Sequence, residues 1–577
     1  MLKFVDSFMG GIAKSIGMPT DPLKLFLTFL LSYPLCVVLK RLPDSKPIYK
    51  QIFCLSVSTF YLLGIFSLWD GLKTLLISSL GTYTLARYVK SPLMPWVVFL
   101  FLMGHLTINH VNRYFNPLWE SQVDITGAQM VLVMKLSAFG WNVHDGRRPA
   151  AELSSIQQDR ALTTLPPIID YLTYVFFFPS LLVGPSFDYA EFRRWLDFSM
   201  FDAESTASQR TNGKLRKVRK RKIPRSGRIA ARKALEGVLW IGLWIGLGTV
   251  LSPKYILSDE FRARSFLFRI FYLWPLGFYY RLKYYGAWSL SEGACILSGL
   301  SYNGVDSATN KRKWDRVKNI DPYRFETGQN TYTLLETWNM NTNKWLKTYV
   351  YLRVTPKGKK PGFNSTFITF LTSAFWHGVS PGYYLTFVTG AFMQSSGRAA
   401  RRYIRPFFLT ADLSKAGPYK AYYDVFTYVG TQLTMAYAVQ PFILLTFNDS
   451  MRAWRAVYFY IHVGLFTMTV IFSAKPVTKH IKAKLSARTQ TASKLEQLRF
   501  EIETARAKRE PSELGGGPAS EEDLHEPSLG IPDGDIEESV EAIQMDLAEL
   551  RSDLEQFKRR TSMAAGDARK RVSKRKV

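Results

Sequence analysis

The apolar residues of this chain gather into blocks about as long as a bilayer crossing, one after another through most of the first 475 positions. A bilayer core about 30 Å thick takes roughly 20 apolar residues of helix to cross. Candidate blocks lie at 23–39, 52–69, 72–88, 93–111, 168–183, 234–251, 266–282, 363–376, 383–394, 425–446 and 456–473. Two shorter or more polar stretches, 128–141 and 288–300, read as re-entrant or as buried among neighbouring helices. The pattern predicts an all-α integral membrane protein with about eleven transmembrane helices. A soluble chain of 577 residues would divide into domains joined by polar linkers. Here 47% of the residues are apolar, including 40 Phe, 30 Tyr and 14 Trp, and polar stretches merely offset the blocks in the average. The first block follows Pro19 and Pro22 without a small-residue cleavage site, so it reads as a retained anchor.

The formal charge of +29 sits in loops between the blocks, which speaks against a nucleic-acid partner. Its densest run, residues 210–233, contains no acid and reads as a cytosolic loop by the positive-inside rule, able to meet anionic headgroups. Cys36, Cys54 and Cys295 lie in or beside apolar segments and show neither metal-ligand nor disulfide spacing. Composition changes abruptly after Lys475, predicting a membrane domain over 1–475 and a charged cytosolic tail over 476–577. In that tail Ile536, Val540, Ile543, Leu547, Leu550, Leu554 and Phe557 keep a heptad pattern. Three heptads are marginal alone: the tail is either helical, allowing a hairpin or self-association, or partly disordered. The closing basic cluster, with Arg575 where a lysine is usual, is a weak endoplasmic-reticulum retrieval signal.

Polar residues inside apolar spans are expensive, so they are the first functional candidates. His377 ends one apolar block, and Gly378, Pro381 and Gly382 break the helix before the next block starts. Asn339, Asn341 and Asn343 alternate between Trp338 and Trp345. On a helix Asn339 and Asn343 would share a face. A histidine near neutrality can take the proton of an attacking hydroxyl. An amide can orient that imidazole, or donate to the oxygen that gains charge when a thioester is attacked. The pair supplies a base and a polar stabiliser but no nucleophile. There is no Gly-x-Ser-x-Gly elbow and no cysteine beside either motif, so direct transfer between two bound substrates fits better than an acyl-enzyme.

Four segments in order carry a resemblance: Val183-Gly184-Pro185-Ser186-Phe187-Asp188-Tyr189, Lys283-Tyr284-Tyr285-Gly286-Ala287-Trp288, Trp338-Asn339 with Trp345-Leu346, and Trp376-His377-Gly378 with Pro381-Gly382-Tyr383. Over roughly residues 20–475 the chain resembles the membrane-bound O-acyltransferase family, and within it the lysophospholipid acyltransferase branch. The resemblance implies a helical bundle around a central reaction tunnel in the endoplasmic-reticulum membrane. It implies acyl-CoA as co-substrate from the cytosolic side, a lysophospholipid arriving from the bilayer, and no metal or other cofactor. His377 matches the catalytic histidine and Asn339 the catalytic asparagine, with Asn341 and Asn343 as competing choices. Asn343, Trp338, Trp376, Tyr323 and Lys283 are the substrate-binding candidates.

Blander roles stand beside these. Asn339 could be an interhelical hydrogen bond, and His105, His110 and His462 read as packing or interface residues. Arg281 and Lys283 either snorkel to headgroups or meet phosphates of coenzyme A or lipid. Lys357, Lys359 and Lys360 form a basic loop that would attract acyl-CoA if it is cytosolic. The same machinery could acylate a sterol, a diacylglycerol or a protein. A transporter or scramblase would need matching halves, and no internal repeat is visible.

Overall fold

The computed structural model describes residues 3–16, 19–117, 123–201, 223–355, 362–411 and 413–489. The basic run at 210–222, the lysines at 357, 359 and 360, and the tail heptads lie outside the described residues. Among the described residues the structure is helical, with isolated bridges at Val305–Arg312 and Leu409–Ala416 and no longer strand. The chain forms two compact units, Met1–Met393 with Tyr428–His462, and Gln394–Thr427 with Val463–Val577.

Some helices of the first unit bury polar residues and turn large apolar ones outward, the reverse of a soluble protein. Thr20–Leu39 buries Lys24, Thr28, Ser32 and Cys36, a stripe at every fourth residue, and exposes Leu27, Leu31 and Val38. Trp69–Tyr88 likewise buries Ser78, Ser79 and Thr82 while Ile77 and Leu80 face outward. In Met94–Phe115, Leu100 is 68% exposed and Ile108 66%. Apolar surface this continuous is what lipid, not water, would cover. Among the described residues, three helices are long and apolar enough to cross a membrane: Thr20–Leu39, Pro47–Ile65 and Met94–Phe115. The pair Phe447–Ala456 and Tyr460–Ser473 qualifies only when taken as one span.

Some of the remaining apolar blocks depart from one block, one helix. Block 168–183 folds as the eight-residue helix Ile168–Val175 and a short turn at Phe178–Ser180. Block 425–446 divides between Lys420–Ala438 and Gln440–Leu444. Blocks 266–282 and 288–300 instead join in one 33-residue helix, Phe266–Ser298, about 50 Å long at 1.5 Å per residue. A helix may break at membrane depth only where its freed backbone groups find partners inside the protein. Buried Lys135 supplies such a partner. Its Nζ donates to the carbonyls of Tyr174 and Val175, at the end of Ile168–Val175, and lies 4.4 Å from the ring centres of both Tyr174 and Phe187.

Helix Thr126–Asp145 is buried around its whole circumference, as expected for the buried alternative at 128–141. Beside it Phe266–Ser298 packs closely on Gly227–Leu247 through reciprocal glycines. A Cβ on Gly237 would sit 2.6 Å from Leu290 Cγ and 3.0 Å from the Gly286 carbonyl oxygen. A Cβ on Gly286 would sit 2.5 Å from Ile241. Small residues at both points let the two backbones approach, the usual basis of helix association in lipid. In the second unit, Arg488 donates to the carbonyls of Pro406, Phe407 and Leu409, and Phe408 stacks on Tyr423 at 4.5 Å.

Candidate active site

The buried Thr126–Asp145 helix is the rail on which both sequence motifs are mounted. Met130, Met134 and Ser137 fall at steps of four and three, so they lie along one face. The Trp376 indole donates to the Met130 carbonyl at 3.0 Å. Thr342 Oγ1 lies 3.2 Å from Met134 Sδ, and the Trp345 indole donates to Ser137 Oγ at 2.8 Å. The two indoles also meet, with ring centres 6.0 Å apart. The histidine motif and the asparagine motif are thus held along one stripe, about two helical turns long.

Helix Phe363–His377 carries the histidine on its last residue. Gly378 follows with φ 142°, a conformation that side chains with a Cβ rarely adopt, and the chain re-enters a helix at Pro381. The His377 ring stacks on Phe387 at 5.0 Å and meets Phe442 edge-on at 5.0 Å. Trp376 lies 4.7 Å away and Tyr383 5.7 Å. Among the described residues the imidazole makes no hydrogen bond or ion pair. A partly buried base with both nitrogens uncommitted is available to a substrate hydroxyl.

A folded-back segment positions the asparagines. Asp321 N–H donates to the Thr337 carbonyl at 3.0 Å, and Met340 N–H to the Asn319 carbonyl at 2.8 Å. Between those bonds the chain turns through Asn339 at φ 44°, ψ 54°. Helix Met340–Leu346 starts one residue later. Asn339 therefore precedes the helix, and the shared helical face expected for Asn339 and Asn343 does not form. The left-handed conformation suits asparagine among side-chain-bearing residues.

The three amides separate by their partners. Asn341 Nδ2 donates to the carbonyls of Val317 and Lys318 and to Asn319 Oδ1, at 3.3, 3.2 and 3.0 Å, and serves to pin the turn. Asn343 Nδ2 donates to the Leu335 carbonyl at 2.8 Å. Asn339 Oδ1 accepts from Thr342 Oγ1 at 2.8 Å. Its Nδ2 has no partner among the described residues, so this is the amide with donors to spare.

Other candidates fall in three places. Trp338 packs with Tyr284, Tyr285, Trp288 and Phe325 at 5.2–5.9 Å, a wall beside the asparagine turn. Lys283 Nζ sits over the rings of Tyr280 and Tyr284, at 5.4 and 5.2 Å. Tyr323 is 77% exposed, because the short helix Pro322–Glu326 turns Phe325 inward instead. Arg281 neither snorkels nor stands free: its guanidinium makes a two-pronged pair with Glu326 at 2.8 and 2.7 Å, and Tyr285 donates to the same carboxylate at 2.6 Å.

Several site residues escaped the sequence reading. Phe387 and Phe442 cage His377 from positions with no local signal. Thr342 was hidden among the asparagines. His110 had a signal, a polar residue in an apolar span, but reads as packing without knowledge of its partner.

The His377 imidazole at a helix break and the spare Asn339 amide donor at a left-handed turn thus belong to motifs that both bond to one buried helix. The model of the membrane-bound O-acyltransferase family matches residues 117–440, more than half of the chain and both motifs. This chain belongs to the membrane-bound O-acyltransferase family. It is 45% identical over 476 residues to the lysophospholipid acyltransferase of Schizosaccharomyces pombe, covering 82% of this chain and 91% of that one. The lysophospholipid acyltransferase of Saccharomyces cerevisiae is 46% identical over 490 residues, covering 83% and 79%. The human membrane-bound glycerophospholipid O-acyltransferase 2 is 30% identical over 390 residues, covering 67% and 71%.

Proposed function

We propose that this chain is an acyl-CoA-dependent lysophospholipid O-acyltransferase, with His377 as general base and Asn339 as the orienting or oxyanion-binding group. The observation that carries the substrate class is the 45% identity, over 82% of the chain, to a relative named lysophospholipid acyltransferase. The mechanism is supported by the His377 imidazole and the spare Asn339 Nδ2 donor, in motifs whose Trp376 and Trp345 indoles both bond to Thr126–Asp145.

His377 takes the proton from the free glycerol hydroxyl of the lysolipid as that oxygen attacks the thioester carbonyl. Asn339 Nδ2 donates to the carbonyl oxygen as it gains negative charge, or holds the imidazole toward the hydroxyl. The new C–O ester bond forms and the C–S bond breaks. His377 returns the proton to the leaving thiolate, giving a diacyl phospholipid and free coenzyme A. No acyl-enzyme forms and no metal or other cofactor takes part. In this reading the inside-out helices belong to about eleven crossings around a reaction tunnel, in the endoplasmic-reticulum membrane, with the tail in the cytosol.

The test is acyl transfer in membranes, offering labelled oleoyl-CoA with a panel of lysophospholipids. The wild type should form diacyl phospholipid. His377→Ala should lose at least about a hundredfold in kcat at unchanged abundance, the lower range for a general base. An inactive wild type across the panel would move the reading to another acceptor. Full activity of the mutant would remove His377 from the chemistry.

A further inference from the structure

We infer that His110 is a positioning residue for His377, acting through the Trp376 carbonyl. The inference rests on the catalytic reading of His377 and adds to it a residue from a different helix.

The last carbonyls of an α-helix have no partner within the helix. At the end of Phe363–His377 the Gly378 N–H reaches back to the Ala374 carbonyl at 3.1 Å, and the chain then leaves with φ 142°. The Trp376 carbonyl receives no backbone N–H among the described residues. His110 Nε2 lies 3.1 Å from that oxygen. A carbonyl can only accept, so Nε2 carries the proton and donates. The accepting oxygen belongs to the peptide joining Trp376 to His377. Fixing its plane fixes the direction in which the His377 Cα–Cβ bond leaves the helix.

Two further observations make this more than a buried contact. His110 is 6% exposed within Met94–Phe115, a helix long and apolar enough to span a bilayer. An imidazole there is costly unless it makes a bond, and its hydrogen bond among the described residues is this one. Gly378, on the other side of His377, fits against the same ring: a Cβ there would lie 3.3 Å from His110 Nδ1 and 3.0 Å from Tyr383. His110 therefore holds the carbonyl before His377 and packs against the residue after it. The two contacts leave the catalytic side chain little backbone freedom.

The test compares His110→Gln, which keeps an N–H donor of similar reach, with His110→Leu, which fills the space without one. Acyl transfer in membranes is measured per molecule of enzyme, with KM for oleoyl-CoA and for the lysolipid, beside His377→Ala. His110→Leu should lower kcat about tenfold while both KM values stay near wild type, and His110→Gln should recover most of the rate. Equal kcat for Leu and Gln, whether both high or both low, overturns the inference, as does a loss expressed only in KM. If His377→Ala is inactive and His110→Leu is not, only the positioning role fails. If His377→Ala stays active, the catalytic reading itself fails and the inference with it.

Discussion

At the scale of single residues, the asparagine turn shows how backbone conformation assigns roles to chemically identical side chains. Asn339, Asn341 and Asn343 are equivalent as letters. Their partners divide them into one amide whose Nδ2 is spare among the described residues and two whose Nδ2 groups are engaged. Asn339→Gly should keep the fold, since glycine accepts φ 44° at no steric cost, yet lower kcat by about a hundredfold through loss of the amide donor. Wild-type turnover in that variant would exclude the oxyanion role. Asn341→Ala should do the reverse. Two carbonyls and Asn319 Oδ1 lose a donor, at a cost of about 1 to 3 kcal/mol, read as a lower Tm in detergent with kcat per folded molecule preserved. His377 and Asn339 could be singled out from sequence because polar groups in apolar surroundings are rare. Which asparagine stays free could not, because that depends on a left-handed turn held by residues 317–321, some twenty positions earlier.

Among the elements, the apolar blocks foretold helices but not their ends. Hydropathy sees burial from water and is blind to whether lipid or protein does the burying. Thus 168–183 breaks where Lys135 can satisfy its carbonyls, and Phe266–Ser298 runs unbroken although charged residues punctuate it. One of those charges, Arg281, makes the sharpest test at this scale. Its side chain is 5% exposed and its partner Glu326 comes from a separate short helix. Glu326→Ala strands a buried guanidinium and should cost about 3 to 5 kcal/mol, visible as a large fall in Tm. A fall of under about 1 kcal/mol would mean that the pair behaves as a surface bridge. The Asp321 turn gives a pH signature. Burial works against its ionisation, but the Lys318 ammonium at 2.8 Å and the Arg324 N–H outweigh that and hold its carboxyl below the ordinary range. A folded pKa below the unfolded value of about 3.9 adds stability above that value and loses it as the pH falls further. Asp321→Asn should accordingly lower Tm at neutral pH, and its difference from wild type should close as the pH is brought below about 4. A gap that stays constant with pH would assign the effect to packing alone.

For the molecule as a whole, the candidate catalytic pair and the tail heptads occupy different stretches of chain. The family match ends at residue 440, and the residues that cage or bond the candidate catalytic pair lie between His110 and Phe442. The tail heptads that raise self-association lie after residue 489, outside the described residues. If the tail serves assembly or location, its removal should leave the chemistry intact. Truncation after Thr489 should therefore preserve kcat and both KM values in membranes, while any oligomer that depends on the heptads dissociates on size-exclusion chromatography in mild detergent. Reduced kcat at normal abundance would instead mean that the tail reaches the reaction chamber or restrains the helices around it. In that case the membrane domain predicted to end at residue 475 would not be a complete enzyme.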